Sequence, residues 1–329
     1  LIRRQRQMCI RDSLTSIQEN AVKPIEPVFL DFKKDMSQLT AKSDIPVLYK
    51  QNTTNDLFQL IYVFDMGNNN DKALGTAFDY LEYLGTSDMT PEELKSEFYR
   101  LACTFYVSPG NERTYVVLSG LNENMPAAMQ LFEKLLADAQ VNKEAYDNLV
   151  GDILKARADA KLNQGQNFSR LMNYAMYGPK SPATNLLTEA ELASMNPQEL
   201  VDRIHNQNNY KHRILYYGPS SSKDLLATID QYHQVPATLK DIPAGNEFSY
   251  LETPATKVLV APYEAKQIYM AQISNLDKKY DPAIEPTREL YNEYFGGGMN
   301  SIVFQEMRET RGLAYSCLLY TSPSPRDRG

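Results

Sequence analysis

Residues 295–316 read FGGGMNSIVFQEMRETRGLAYS and decide how the chain is interpreted. Three consecutive glycines interrupt a helical pattern that starts at Thr287, and residues 300–310 favour a second helix. Gly312 is placed to stop that helix in the left-handed conformation, which glycine adopts without a steric cost. Leu313 then begins a predicted strand, so that one glycine turn joins a helix to a strand.

The residues that precede this stretch predict one complete α+β lobe and the start of another. Residues 14–40 are interpreted as a linker, 41–234 as the complete lobe, 235–262 as a connector and 263–316 as a truncated second lobe. Inside the first lobe, hydrophobic patterns and turn signals predict strands at 45–51, 57–65, 102–107, 114–118 and 212–217, and helices at 73–84 and 222–232. Capping-box signals at Thr90 and Thr188 and an N-cap at Asn196 predict further helix starts.

In the second lobe, residues 267–274 have a strand-like pattern ahead of the glycine run. If this lobe repeats the architecture of the first, more than half of it is absent from the sequence. We therefore expect its sheet to have unpaired edges and its apolar side chains to be exposed.

Two short peptides near the ends are explained by the two strands of one DNA sequence. Residues 317–322 can be encoded by TGTCTCTTATACACATCT, and its reverse complement, with C before it and G after it, encodes residues 7–12 and the first two bases of the Ser13 codon. The pair resembles translated sequencing adapter of the transposase type. Residues 1–13 and 317–329 are therefore predicted to be artefactual and are excluded from fold reasoning. The alternative is a basic N-terminal arm and a Pro/Ser-rich tail.

This exclusion changes what the composition implies. Cys103 becomes the one remaining cysteine, so no disulfide framework is expected, and a single thiol without a nearby histidine is usually buried filler. The excluded ends carry a net charge of +4, so the formal charge of −7 becomes −11 for the remainder. An acidic surface argues against a nucleic-acid or anionic-membrane partner. No apolar run approaches the ~20 residues that a membrane span needs.

The stretch 295–316 resembles the signature of the last of four homologous lobes in zinc peptidases of the pitrilysin/insulinase family. Its usual form has three glycines, a helix with a Leu-Phe pair, then arginine, an acidic residue and Gly-Leu-Ala-Tyr. One departure is Ile302, because many members carry arginine or another polar residue there. The first lobe resembles the family more loosely, through DMG at 65–67, GTA at 75–77 and LGT at 84–86.

The resemblance implies the fold and the place of the chain in a larger peptidase. Where the catalytic lobe carries H-x-x-E-H, this sequence reads FDYLEY at 78–83, slightly shortened and without histidine. The resemblance thus implies lobes three and four of a tandem chain. Their expected fold is the pitrilysin/mitochondrial-processing-peptidase-like metallohydrolase lobe, an antiparallel-rich mixed sheet covered by helices. No cofactor is expected in this fragment, and zinc is expected in the missing N-terminal half.

The histidines of the sequence do not suggest a metal site. Catalytic zinc needs three protein ligands and an open position for water, and two histidines one helical turn apart supply the rigid part of such a site. No such pair occurs here. His205, His212 and His233 are predicted to lie on a helix, at a strand start and at a helix end, without a spaced carboxylate partner. We therefore interpret them as surface or structural histidines.

The resemblance assigns catalytic support to Arg308 and Tyr315, which flank the Gly312 turn. Arg308 would donate from its guanidinium to carbonyls of a bound peptide, and Tyr315 would donate near the scissile carbonyl, where negative charge develops. The alternative is that Arg308 pairs with a surface carboxylate and Tyr315 fills the core.

The function implied is that of a non-catalytic, substrate-enclosing half of a zinc metalloendopeptidase. Its partners would be a zinc-bearing half, on the same chain or in a separate subunit, and a peptide substrate. The alternative is a scaffold or interaction protein built from catalytically dead lobes. The resemblance also suggests the bacterial cell envelope, although no residue of the chain shows the compartment.

Overall fold

A computed structural model of the chain describes residues 27, 29, 31–275 and 281–314. The predictions for residues 1–13, for Tyr315 and for residues 317–329 lie outside the described part. Within it, a mixed sheet with the strand order β1-β2-β6-β3-β5-β4 organises the first lobe. The six strands are β1 Ser37–Ala41, β2 Ile45–Gln51, β3 Leu57–Phe64, β4 Cys103–Pro109, β5 Thr114–Leu121 and β6 Arg213–Gly218.

The pairing of these strands is mostly antiparallel, as the resemblance implies. The pairs β1–β2, β3–β5, β3–β6 and β4–β5 are antiparallel, and β2–β6 is parallel. A parallel pair requires a long crossover, and here that crossover contains β3, β4, β5 and the helices between them. The fold class is therefore α+β with an antiparallel-rich mixed sheet.

Ten α-helices occur in the described residues, and four of them, Leu74–Leu81, Pro91–Arg100, Met125–Asp138 and Ser222–Tyr232, pack against strands of the sheet. The ten helices are α1 Phe32–Asp35, α2 Leu74–Leu81, α3 Pro91–Arg100, α4 Met125–Asp138, α5 Lys143–Lys161, α6 Gln164–Tyr177, α7 Glu189–Ser194, α8 Pro197–Asn206, α9 Ser222–Tyr232 and α10 Glu285–Phe295. Alternate side chains of β3, including Phe58, Leu60 and Tyr62, are buried on the helix side. The core is completed by α4, whose Met125 and Met129 are almost inaccessible to solvent. These methionines are thus packing residues.

Local sequence signals set several helix ends. The Thr90 side chain accepts from the Glu93 backbone, and the Glu93 side chain accepts from the Thr90 backbone, which is the predicted capping box. The same arrangement joins Thr188 and Glu191. Asn196 caps α8 by accepting from the Gln198 backbone. The predicted helix starts are therefore confirmed.

Two segments differ from the sequence-based expectation. The segment Ser37–Ala41, inside the predicted linker, forms β1 and pairs with β2. Residues 267–274, predicted as a strand, form neither a strand nor a helix. A strand needs a neighbour for its backbone N–H and C=O groups, and among the described residues none of the six strands pairs with this segment.

The second unit contributes little to the core. Within the described residues, the buried hydrophobic cluster ends at Ile229, and only partly buried side chains such as Val235 and Leu239 follow. The exposed apolar side chains of the second unit include Val258, Val260, Ile268, Met270, Leu290, Met299 and Leu313. Exposed apolar side chains were expected after the connector and occur there, whereas the truncation of the second lobe stays a prediction. No helix in the described ranges combines the length and hydropathy needed to cross a bilayer.

A close backbone contact explains the glycine of the DMG motif and yields a stability prediction. A Cβ added to Gly67 would lie 2.4 Å from the Gly110 carbonyl oxygen, whereas a Cβ added to Gly151 in α5 meets nothing within 4 Å. Gly67→Ala should therefore lower the free energy of unfolding by about 1–3 kcal/mol, because backbone must move. Gly151→Ala should raise it by roughly 0.5–1 kcal/mol, because alanine favours the helix. Urea unfolding of both variants tests this, and equal effects would contradict it.

Candidate functional site

Arg308, the predicted substrate contact, lies in the last helical segment of the described chain. This segment, Phe304–Thr310, has the wide winding of a π-helix, and such turns are frequent at functional positions. The guanidinium of Arg308 lies 4.6 Å from the centre of the Phe304 ring, and its Nε is 3.3 Å from a Glu309 carboxylate oxygen. The side chain is 34% exposed, and these two contacts restrict its position.

The glycine stop that should bring Arg308 and Tyr315 together forms as predicted. Gly312 has φ of +57°, and its N–H donates to the Arg308 carbonyl at 3.1 Å. Leu313 N–H donates to the Met307 carbonyl at 2.8 Å, which closes the helix end. The turn therefore directs the chain away from the helix directly after Arg308. The position of Tyr315 relative to Arg308 remains a prediction, since Tyr315 lies outside the described residues.

Helix α2 contains most of the stretch 78–83, which the family resemblance aligns with the zinc motif of the catalytic lobe. Its side chains Phe78 and Leu81 are buried, at 3% and 1% exposure, and both line a groove of about 390 Å³ beside β4. Glu82 also lines the groove, and the stretch 78–83 contains no histidine. An apolar groove thus stands where the resemblance would otherwise place metal ligands.

Three of the most buried polar side chains form a chain of hydrogen bonds that the sequence did not reveal. Glu133, in the middle of α4, is 1% exposed, and its Oε1 lies 2.6 Å from His233 Nδ1. The Nε2 atoms of His233 and His212 lie 2.9 Å apart, and His212 Nδ1 is 2.7 Å from the Tyr210 carbonyl oxygen. The Glu133–His233–His212 chain therefore links α4, the end of α9 and the start of β6.

Glu133 has a donor for each of its acceptor positions. Its Oε1 accepts from His233 and from the Tyr62 hydroxyl at 3.3 Å, and its Oε2 accepts from Asn208 Nδ2 at 2.9 Å and the Gln234 backbone N–H at 3.1 Å. A carboxylate offers about four lone-pair positions, and all are used. Burial and the Glu133 charge raise the pKa of Tyr62 well above its ordinary value, so its phenol donates as a neutral group.

The hydrogen-bond pattern fixes how many protons the two rings hold. His212 Nδ1 must carry a proton to donate to the Tyr210 carbonyl, and His233 Nδ1 must carry one to donate to the carboxylate. One further proton must lie between the two Nε2 atoms. Burial, and then the neighbouring His233, lower the pKa of His212 to about 4, so His212 is neutral at pH 7. The Glu133 carboxylate lies against this pair of rings at His233 Nδ1.

This geometry does not fit a zinc site. Two imidazole nitrogens that share one zinc in tetrahedral geometry stand about 3.3 Å apart, because each Zn–N bond is about 2.0–2.1 Å. The 2.9 Å separation of the His212 and His233 nitrogens is a hydrogen-bond distance. His205 lies elsewhere, with Nε2 3.2 Å from the Ala139 carbonyl oxygen. In the described part of the chain, no group of three or more His, Cys, Asp or Glu side chains is arranged to hold a metal.

The interpretation of the histidines was right about their type and wrong about their partner. His212 and His233 are structural, but His233 has a carboxylate partner, which sequence reasoning denied. Glu133 is 100 residues away from His233 and sits in the amphipathic stripe of α4. The available signal was a charged residue among Met129, Phe132 and Leu136, because a charged side chain is rarely buried without a partner. This position therefore indicated a buried partner for Glu133.

Removing the charge of Glu133 should strongly destabilise the lobe. Glu133→Gln keeps the shape of the side chain but turns an amide N–H toward donors that need an acceptor, and breaking a buried pair of this kind costs about 3–5 kcal/mol. Glu123→Gln, at an exposed position just before α4, serves as the matched control and should change stability by less than about 0.5 kcal/mol. Urea unfolding at pH 7 measures both. A loss below 1 kcal/mol for Glu133→Gln would contradict the structural role given to this carboxylate.

The lowered pKa of His212 predicts acid sensitivity. The unfolded chain takes up a proton at this imidazole below pH 6.5, and the folded chain does so only near pH 4. The free energy of unfolding should therefore fall as the pH is lowered through that window, by on the order of 3 kcal/mol from this group. His212→Gln should flatten the profile and His205→Gln should not. Unfolding curves between pH 4 and 8 test this, and an unchanged slope in His212→Gln would refute it.

Comparison with known proteins agrees with this architecture. No protein-family model matches the sequence. The chain is 24% identical over 270 residues to an uncharacterized zinc protease of Streptomyces coelicolor, and 22% identical over 269 residues to one of Rickettsia felis. These alignments cover 76% and 78% of this chain but only 56% and 61% of the relatives. The chain thus spans somewhat more than half the length of the curated relatives that it matches.

Solved structures with the same fold include inactive peptidase domains. A peptidase M16 inactive domain from Pseudomonas fluorescens superposes with a TM-score of 0.62 at 17% identity, over 85% of this chain and 69% of that one. The periplasmic protease PqqL from Escherichia coli gives a TM-score of 0.59 at 15% identity, over 73% of this chain and 27% of that one. This chain therefore has the fold of the peptidase M16 inactive domains, and it resembles the second, zinc-free half of the pitrilysin/insulinase peptidases.

Proposed function

We propose that this chain is the non-catalytic, substrate-enclosing half of a zinc metalloendopeptidase that acts on peptides or unfolded segments. The observation that supports this most directly is the apolar character of α2, where Phe78 and Leu81 are buried in the stretch that corresponds to the zinc motif. Two relatives carry the name zinc protease, so the metal-dependent chemistry would reside in residues outside this chain. The zinc-bearing half, in the same chain or a separate subunit, is the proposed partner.

In this proposal, Arg308 and Tyr315 complete the active site of the zinc-bearing half. The Arg308 guanidinium is a fixed fork of N–H donors that suits the carbonyl oxygens of an extended peptide. Its stacking on Phe304 restricts the side chain before substrate arrives, which reduces the entropy lost on binding. The phenol of Tyr315 would donate a neutral hydrogen bond to the oxygen that becomes negative when water attacks the scissile carbonyl.

The proposal requires this chain's helical end to face the partner half. Arg308 and Glu309 are accessible on the Phe304–Thr310 helix, at 34% and 52% side-chain exposure. The apolar surface exposed on the second unit, including Ile302 at 38%, would be covered on assembly. An H-x-x-E-H motif in the partner, with a further glutamate some seventy to eighty residues later, is the ligand set that the family resemblance implies and that the three-ligand requirement of zinc supports.

Replacing Arg308 should slow peptide cleavage by the assembled enzyme. Arg308→Ala is expected to lower kcat/KM for an unstructured peptide, because a charged transition-state donor is lost. The corresponding rise in the activation free energy is roughly 2–4 kcal/mol. Arg311→Ala is the matched control, since Arg311 lies three residues further along, is 64% exposed and has its Nε 3.5 Å from Glu306. The control should retain activity within about threefold. Chromatographic quantification of products under kcat/KM conditions provides the measurement.

The same comparison separates the peptidase from the scaffold alternative. If Arg308→Ala and Arg311→Ala cleave the peptide equally well, the role assigned to Arg308 is wrong. If the assembled protein carries no zinc motif and cleaves nothing, the lobes serve as a scaffold. Hydrolysis by this chain alone with added zinc, abolished by a chelator, would overturn the proposal altogether.

A further inference from the structure

Strand β4 lies at one end of the sheet in space, and in the described part of the chain one of its edges has no neighbouring strand. Its other edge pairs with β5 in a register that joins Phe105 to Leu118 and Val107 to Val116. Two hydrogen bonds flank this ladder, from Leu121 N–H to the Ala102 carbonyl and from Gly110 N–H to the Arg113 carbonyl. They show which β4 residues direct their backbone N–H and C=O groups toward β5. In an antiparallel pair the hydrogen-bonded residues alternate. The even-numbered residues 104, 106 and 108 therefore bond to β5.

It follows that the N–H and C=O groups of Cys103, Phe105 and Val107 point to the free edge. Pro109, which has no N–H, ends this row of donors and acceptors. A row of alternating donors and acceptors at strand spacing is matched by the backbone of another extended segment, since a helix satisfies its own backbone groups. The main-chain chemistry of the edge thus specifies the conformation of what binds there.

The groove beside this edge specifies the side chains. Its walls include Phe78 and Leu81 from α2 and Phe98 from α3, and its rim carries Glu82 and Lys95. The side chains of odd-numbered β4 residues face the groove, because Phe105 packs 4.9 Å from Phe98 between ring centres. A residue that pairs antiparallel with Phe105 would direct its side chain to the same face of the sheet. The groove therefore suits apolar side chains at every second position.

We infer that the free edge of β4 and its groove bind an extended peptide segment, antiparallel to β4, with apolar side chains at alternate positions. The intervening side chains lie beside Thr104 and Tyr106 on the opposite face, where Tyr106 is 50% exposed. The formal charge of the full 329-residue chain, −7 with both ends included, favours segments with basic flanks. This surface involves neither Arg308 nor a zinc-bearing half, so its test is independent of the proposed function.

The test uses the full 329-residue chain and a fluorescent peptide of sequence acetyl-Lys-Val-Thr-Val-Thr-Val-Lys-amide. Fluorescence anisotropy should show saturable binding. N-methylation of the valines removes the N–H groups that face β4 and should weaken binding about tenfold or more. N-methylation of the threonines removes N–H groups that face solvent and should change affinity less than about threefold. These peptides require no change in the protein.

A backbone variant of the protein provides the reciprocal test. Val107→Pro removes the outward N–H of residue 107 without touching the even-numbered residues that bond to β5, and it should weaken binding about tenfold. Val107→Ala keeps that N–H and should lose much less affinity. Urea midpoints show whether either variant is still folded. If Val107→Pro is unfolded, the two methylated peptides alone decide the matter.

Three results would overturn the inference. The first is no binding of the parent peptide up to millimolar concentration. The second is equal affinity of the two methylated peptides, or loss confined to the threonine-methylated one. The third is a monomer–dimer equilibrium in sedimentation that Val107→Pro abolishes while the peptide fails to bind, because the edge would then pair with a second copy of this chain.

Discussion

The first lobe depends on one buried charge being neutralised where water does not reach. Glu133 is in the second half of a helix whose other buried side chains are methionine, alanine, phenylalanine and leucine, and its carboxylate is stable there because four donors surround it. Those donors come from β3, from the turn after α8 and from the end of α9. The carboxylate thus sets the relative positions of elements that are far apart in sequence. An apolar residue would fill the same volume without requiring any of these partners in a particular place.

Sequence reasoning recovered most of the elements of this lobe because their signals are local. The strand Ile45–Gln51 was predicted with its observed bounds, and the capping boxes at Thr90 and Thr188 mark real helix starts. Strand β1 was missed because Ser37–Ala41 is short, mostly polar and stabilised by pairing with β2. The partner of His233 was missed for the same reason: its carboxylate is brought close only by the tertiary fold. Local sequence patterns predict individual helices and strands. The edge strand of the sheet and the buried Glu133–His233 pair depend on contacts between residues far apart in sequence.

The site around Gly312 was predictable in its backbone and less so in its side chains. Glycine at that position and the helix before it are encoded in consecutive residues, and both appear as expected. The stacking of Arg308 on Phe304 depends on a widened helical turn that no propensity rule anticipates. The groove beside α2 and β4 was also unforeseen, because it is formed by residues from three elements. A lobe without metal ligands therefore retains a shaped surface in the corresponding place.

The strand order carries a consequence for how the lobe is made during synthesis. Strand β6 is the last of the six to leave the ribosome, yet it lies between β2 and β3 in the middle of the sheet. Until residues 213–218 emerge, the nascent chain can assemble β3, β5 and β4 as one block and β1 with β2 as another, with the two interior edges open to water. Contacts of such long sequence separation form slowly, and open edges promote aggregation. Translation pauses or chaperone binding before residue 213 would then have their largest effect on the yield of folded protein.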